Sequence, residues 1–350
     1  MSNYSNTTAL PSPHWGPPPI LMTLINAAAL LANLSTLLLF LRLRLTSFDV
    51  FLANLLLVNL LYLVSACPLD TLHSLYDPHW PLSDALCTVY LYSLWLFQYL
   101  QVHAHVLISV TRVWAVRAPV AYRRHATVPR AVGLCAAAWC LAHILTLPGI
   151  LRDALVFRRP LEHFGCQVNV DTAVASQRYW LLFLQVQATA CEAVVMVSYW
   201  LIWYTRRQRR KIRPRRSVWS HSSRDTGNVE LETTPSGNEK AVADGSTLPP
   251  KKMSCPVSNG PSSPGRTLQE RKASASGGPS GFCLMTLLTG SLFVCWTPNI
   301  VYFLIISFVG DGIYDLMMAN AVTVLFNVQT LMDPFLFTLA LSHLRTLLCP

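Results

Sequence analysis

Residues Gly281 to Val309 read GFCLMTLLTGSLFVCWTPNIVYFLIISFV, without one Asp, Glu, Lys or Arg. About 20 mostly apolar residues suffice for an α-helix to cross the hydrocarbon core of a bilayer. Six further stretches meet the same condition: Ile20–Leu41, Val50–Leu69, Ala85–Thr111, Ala131–Leu151, Trp180–Tyr204 and Leu316–Leu341. Only Glu192 and Asp333 bring a carboxylate into any of them. Strand-type alternation is absent, and in lipid each backbone N–H must find its partner within the segment, so helices are the expected form. The reading is an all-α membrane protein, a seven-transmembrane helix bundle.

The composition agrees. A length of 350 residues would suit two soluble domains, but 13% of residues are charged and 52% hydrophobic. Soluble proteins run near a quarter charged. A net charge of +10, from 27 Lys+Arg against 17 Asp+Glu, invites a nucleic-acid reading. Such proteins spread basic residues over a folded surface, whereas long stretches here carry none, so no nucleic-acid partner is expected. All Lys and Arg except Arg152, Arg158, Arg159 and Arg178 fall on one side of a seven-span topology. Cytoplasmic loops carry the excess of Lys and Arg, which places the amino terminus outside and the carboxyl terminus inside.

The expected organisation is an extracellular tail (1–19), helices one to five (20–205), a cytoplasmic loop (206–280), helices six and seven (281–341) and a short tail (342–350). Pro17-Pro18-Pro19 precedes the first span where a signal peptide would carry basic residues, so an uncleaved anchor is expected. Asn3 and Asn6 open glycosylation sequons on the outer side. The loop is rich in Ser, Pro, Gly and charge and cannot bury enough apolar surface to order itself. Its first part, Arg206 to Arg216, is mostly Lys and Arg. Contact with anionic lipids, at roughly 1 kcal/mol per basic residue, is one reading and partner contact the other. Ser254 and Ser274 follow basic residues as kinase sites do. Cys349 ends a short amphipathic segment and is a candidate for acylation.

Punctuating residues recur in a particular order. Asn54, Asn59 and Pro68 mark the second span. Trp80-Pro81, Cys87, Thr111-Arg112-Val113 and Pro119 mark the third. Trp139 and Pro148 mark the fourth, Cys295-Trp296-Thr297-Pro298 the sixth, and Asp333-Pro334-Phe335-Leu336-Phe337 the seventh. Together they resemble the rhodopsin-like (class A) G-protein-coupled receptors over all seven helices. The resemblance implies a plasma-membrane receptor that passes an outside ligand's signal to a heterotrimeric G protein. It also implies a Cys87–Cys166 disulfide across the outer face, where an oxidising compartment lets it persist. With so short a tail, arrestin-type contacts would use the third cytoplasmic loop.

By family position the ligand pocket would be lined by Leu94, Trp95, Gln98, Phe183, Gln187, Trp296, Asn299, Phe303, Thr323 and Asn327, an aromatic set with amides and no charge. Amine receptors carry Asp where this chain has Leu94, which argues against a monoamine. A neutral small molecule, a lipid, or a peptide meeting outer charges such as Asp70, Arg152 and Arg158 all fit. Activation would use Thr111, Arg112, Tyr199, Trp296, Pro298, Asn59, Asp333, Pro334 and Phe337. Pro298 removes a backbone hydrogen bond, and the kink lets the inner half of the sixth helix swing.

Leu94, Gln98, Gln101, His105, Ile108 and Arg112 recur at steps of three and four, so they share one face of the third helix. That face is too polar for lipid and must point into the bundle. Glu192 could pair with His103 or His105, or stay protonated and hydrogen-bonded.

Departures from the family pattern bear on mechanism. Thr111 stands where an acid usually pairs with the arginine, so a weakly held resting state with basal signalling is expected. Asn59 replaces the usual Asp and Asp333 the usual Asn, complementary changes that would keep one contact with its roles exchanged. With Gln101 nearby, a family-type sodium site is in question. Cys191 replaces a proline in the fifth helix, Leu292 a phenylalanine in the sixth, and Phe337 a tyrosine in the seventh. No metal-ligand cluster, nucleophile–base set or phosphate loop is visible, so neither cofactor nor catalysis is expected. The rivals are a non-signalling decoy or heteromer partner of the same fold and, from another class, a transporter; an internal repeat, which a transporter would need, is not seen.

Overall fold

A computed structural model describes residues 12–42, 45–77, 79–169, 175–212, 280–309 and 315–340. Asn3, Asn6, Ser254, Ser274 and Cys349 lie outside these residues, as do most of the 206–280 segment and the 342–350 tail.

Among the described residues seven long helices carry the fold: α1 (Pro17–Leu41), α2 (Ser47–Tyr76), α3 (Asp84–Arg117), α4 (Val128–Arg152), α5 (Ala175–Ile212), α6 (Ser280–Val309) and α7 (Leu316–Ala340). Six are long and apolar enough to cross a membrane; α3 is the exception. Its position explains why. Residues along it from Cys87 to Thr111 are buried against neighbouring helices, so its surroundings are protein and it can carry amides and imidazoles.

Local sequence sets the helix starts. Thr46 and Asp49 form a capping box on α2, with Thr46 N–H donating to Asp49 Oδ2 at 2.9 Å and Asp49 N–H to Thr46 Oγ1 at 3.3 Å. Proline opens α1 and α4, where a missing N–H costs nothing. Pro68, Pro148, Pro298 and Pro334 lie inside helices, as membrane bundles tolerate.

The helices outrun the apolar stretches that announce them. α2 continues to Tyr76 and α5 to Ile212, so the first basic residues of the segment read as loop are helical. Apolar length marks only the part in hydrocarbon, while Arg and Lys are good helix formers that extend the same backbone into the headgroups. Arg207 and Trp203 pair there, the guanidinium 5.2 Å from the ring centre.

α1 packs on both α2 and α7, α6 on α7, α2 on α3 and α4, and α3 on α4. One apolar cluster, including Leu55, Tyr62, Leu100, Ile108, Leu292 and Phe337, fills the interior. Leu24, Leu31, Ile144, Val197 and Phe293 face outward and exposed, an arrangement that suits acyl chains.

α5 joins the bundle through specific side chains. Trp180 Nε1 donates to the Leu145 carbonyl at 2.9 Å and Gln177 Nε2 to the Gly149 carbonyl at 3.2 Å. The Trp180 ring lies so close to Gly149 that an added Cβ would come within 1.9 Å of it. Glycine is what permits that approach.

Candidate functional site

The outer wall is built first. Cys87, in the first turn of α3, is disulfide-bonded to Cys166, with Cα atoms 5.6 Å apart and both residues buried. The bond holds the α4–α5 connection over the bundle. Within that connection Arg158 binds the buried Asp153 carboxylate at 3.0 Å and Thr88 Oγ1 at 2.7 Å. Arg158 is thus engaged in structure, although its charge alone made it a candidate ligand contact.

Beneath Cys166 lies a cavity of about 190 Å³ between α2, α3, α5, α6 and α7. Leu94, Trp95 and Gln98 line it from α3, Trp296, Asn299 and Phe303 from α6, and Thr323 from α7. The other three expected residues lie elsewhere. Phe183 is 54% exposed on the outer face of α5. Gln187 turns its amide to His103 Nε2 at 3.3 Å. Asn327 is buried and accepts from the Tyr62 hydroxyl at 3.0 Å. The α5 residues at the cavity are Leu181, Leu184, Gln185 and Ala188. They share the i, i+3, i+4, i+7 face, and Phe183 and Gln187 fall beside it. Without the family's proline in α5, its register had no landmark in the sequence.

The cavity also holds a carboxyl group. Asp70, expected among the outer charges, is buried and lines it together with His73. The apolar stretch ended at Leu69, one residue short, while the helix did not. Continuation of the heptad-like face past Pro68 was the available signal.

Below the cavity the polar residues of four helices meet. Asn59 Nδ2 donates to Asp333 Oδ2 at 3.1 Å and to Asn33 Oδ1 at 3.1 Å. Gln101 Nε2 donates to Asn59 Oδ1 at 2.9 Å, and Gln329 Nε2 to Asp333 Oδ1 at 2.7 Å. His105 Nε2 lies 3.3 Å from Asp333 Oδ1, while its Nδ1 lies 2.8 Å from the Gln101 carbonyl. Both ring nitrogens therefore face acceptors. A neutral imidazole carries one N–H and can donate to only one of the two. The amide–carboxylate contact between α2 and α7 is in place with the amide on α2. His105 and Gln329 joined the network unannounced, because pairing across helices is not legible along one of them.

His105 also meets the edge of Trp296, ring centres 5.1 Å apart, and Trp296 stacks on Phe326 at 5.3 Å. Trp296 thus touches the cavity above and the network below. Glu192 pairs with neither His103 nor His105; its Oε1 accepts from Thr297 Oγ1 at 2.5 Å, joining α5 to α6 beside Pro298. Trp139 Nε1 donates to Asn54 Oδ1 at 3.0 Å, which ties α4 to α2.

At the inner rim Thr111 is buried and offers Arg112 no carboxylate. The Arg112 guanidinium lies instead over the Phe48 ring, 3.4 Å from its centre, and its buried Nε has no hydrogen-bond partner. Tyr199 is half-buried on α5 and Phe337 fully buried on α7.

Comparison with known proteins follows this geometry. The family described as "7 transmembrane receptor (rhodopsin family)" matches residues 32–337. The chain is similar to Apelin receptor B of Danio rerio, at 24% identity over 159 residues, which is 45% of this chain and 44% of that protein. It is also similar to Relaxin-3 receptor 2 of Mus musculus, at 29% identity over 181 residues, 50% of this chain and 41% of that one. The matches span less than half the length of these relatives. A family match over most of the chain, on seven helices with one pinned outer connection, assigns it: this multi-pass plasma-membrane protein belongs to the rhodopsin family of seven-transmembrane receptors over residues 32–337.

Proposed function

We propose that this receptor converts the binding of an extracellular ligand in the cavity under Cys166 into activation of a heterotrimeric G protein, with signalling in the absence of ligand. The observation that carries the reading is Trp296, which lines the cavity and meets His105 of the central network. A ligand that moves the indole changes a packed, two-sided contact, and interiors respond to such changes in discrete steps. Leu94 leaves α3 without the acid that amine transmitters require. Relatives named as receptors for apelin and relaxin-3 support a peptide-type ligand. Basal signalling follows from Arg112, which rests on Phe48 and makes no salt bridge among the described residues. The loop 206–280 is the proposed contact for arrestin and anionic lipid.

The test is G-protein nucleotide exchange in membranes carrying the receptor, with and without Arg112→Ala. A basal rate abolished by the substitution supports the reading. Exchange at background level in both, with a screened ligand bound but silent, would favour a non-signalling decoy or heteromer partner, a reading that Thr111 and Phe337 recommend.

A further inference from the structure

The outer end of the cavity holds a carboxylate that the signalling pathway does not use. Asp70 lines the cavity from the last turns of α2 and is 9% exposed. Its Oδ1 accepts from the Tyr90 hydroxyl at 2.7 Å, while its buried Oδ2 has no hydrogen-bond partner. An aromatic shelf fixes its position: Tyr90 stacks on Trp80, ring centres 5.5 Å apart, and on His73 at 6.0 Å. His73, the other ionisable group at this end of the cavity, turns Nε2 toward Asp77 at 3.9 Å rather than supplying Asp70 with a hydrogen bond. No Lys or Arg is among the residues lining the cavity. Arg158, in the outer connection, is bound to Asp153 and Thr88.

An acceptor withdrawn from water and left without a donor is destabilising, the more so when it is charged. Asp70 is the one acid among the residues lining the cavity and no Lys or Arg offsets it there, so a cation suits this end better than a neutral donor. Tyr90 at the outer end and Val102 at the inner both line the cavity from α3, and the helical rise between them spans roughly 18 Å. That depth accommodates a few extended residues at roughly 3.5 Å each.

We propose that Asp70 is a recognition site for a cationic group of the ligand, the guanidinium or ammonium of a basic side chain, with the ligand's apolar part directed inward to Trp296 and Phe326. The site rests on the reading of this cavity as the ligand site. It is distinct from an amine site on α3, where Leu94 offers no charge. The cation donates to Oδ2, and Tyr90 keeps Oδ1 in place.

The test uses N-acetyl-Phe-Arg-amide and its neutral isostere N-acetyl-Phe-citrulline-amide, with binding to the full chain in lipid nanodiscs measured by saturation-transfer NMR. The arginine probe is expected to bind roughly tenfold tighter than the citrulline probe, the size of one charge-assisted hydrogen bond. Asp70→Asn keeps the Tyr90 hydrogen bond and should abolish that preference while leaving citrulline binding unchanged; Asp70→Glu should retain part of it. Thermal unfolding of each variant shows whether the fold persists, and Asp70→Glu carries the comparison if the amide variant does not fold. Equal affinities for the two probes, or a preference that survives Asp70→Asn, overturn the site and leave the cavity reading standing. Absence of binding by both probes overturns the site and the cavity reading together.

Discussion

His105 Nε2 and Asp333 Oδ1 lie 3.3 Å apart in the middle of the bundle, and each residue is 1% exposed. Two ionisable groups so far from water hold each other in place. Removing one partner of a buried pair typically costs about 3–5 kcal/mol, because the other is left uncompensated. His105→Ala is therefore expected to lower the thermal unfolding midpoint of the detergent-solubilised receptor by many degrees. His105→Ala with Asp333→Asn should recover most of that loss. Strictly additive losses would show that the pair is not coupled.

Asn59 donates to Asp333 at 3.1 Å, so a carboxylate at 59 would face a carboxylate at 333. Like charges at that distance cannot both ionise comfortably in a low-dielectric site. Asn59→Asp is expected to cut surface expression several-fold, and Asp333→Asn added to it to restore expression by re-creating the pair in the opposite sense. Flow cytometry of an amino-terminally tagged receptor reads both. Failure of the second change to rescue the first would mean that the two positions are not exchangeable here.

Gly149 is pressed against Trp180, and an added methyl would sit 1.9 Å from the ring. Overpacking of this kind costs about 1–3 kcal/mol. Gly149→Ala should displace the indole, weaken its bond to the Leu145 carbonyl and lower the unfolding temperature. In a Trp180→Ala background the same change should have little effect. An equal loss in both backgrounds would place the cause elsewhere.

Arg112 rests on Phe48 and makes no salt bridge among the described residues. Thr111→Asp would supply the missing carboxylate and is expected to lower ligand-independent nucleotide exchange. Phe48→Ala removes the aromatic seat and should raise it. The expected changes are severalfold or more, since a cation–π contact is worth about 0.5–2 kcal/mol, the upper end where it is withdrawn from water. If neither substitution shifts the basal rate, the resting state is held by other contacts.

Glu192 accepts from Thr297 one residue before Pro298, so the tie joins α5 and α6 beside that proline. Interhelical hydrogen bonds in membranes average about 0.6 kcal/mol. Thr297→Val should therefore cost little stability but raise basal exchange, while Glu192→Gln keeps an acceptor and should behave as the parent. A large stability loss for Thr297→Val would point to a packing role instead.

Much of this architecture is legible in the chain itself. Apolar runs long enough to cross a bilayer, and the sidedness of Lys and Arg, follow from the cost of moving polar groups into hydrocarbon, a local property of each segment. Motifs such as Cys295-Trp296-Thr297-Pro298 likewise carry their identity in their spacing. The polar face of α3 pointed inward for the same reason. Which residue meets which is another matter. The pairing of His105 with Asp333, the seat of Arg112 on Phe48 and the tie from Glu192 to Thr297 depend on how helices distant in sequence are rotated against one another. On α5 no proline marks that rotation, and Phe183 and Gln187 lie a fraction of a turn from the face that lines the cavity. Asp70 falls one residue outside an apolar stretch, where the sequence alone places it among outer charges open to a peptide, yet the helix carries it into the cavity. Segment chemistry determined that this protein crosses the membrane seven times and in which sense; only the packing of those segments decided what its interior can hold.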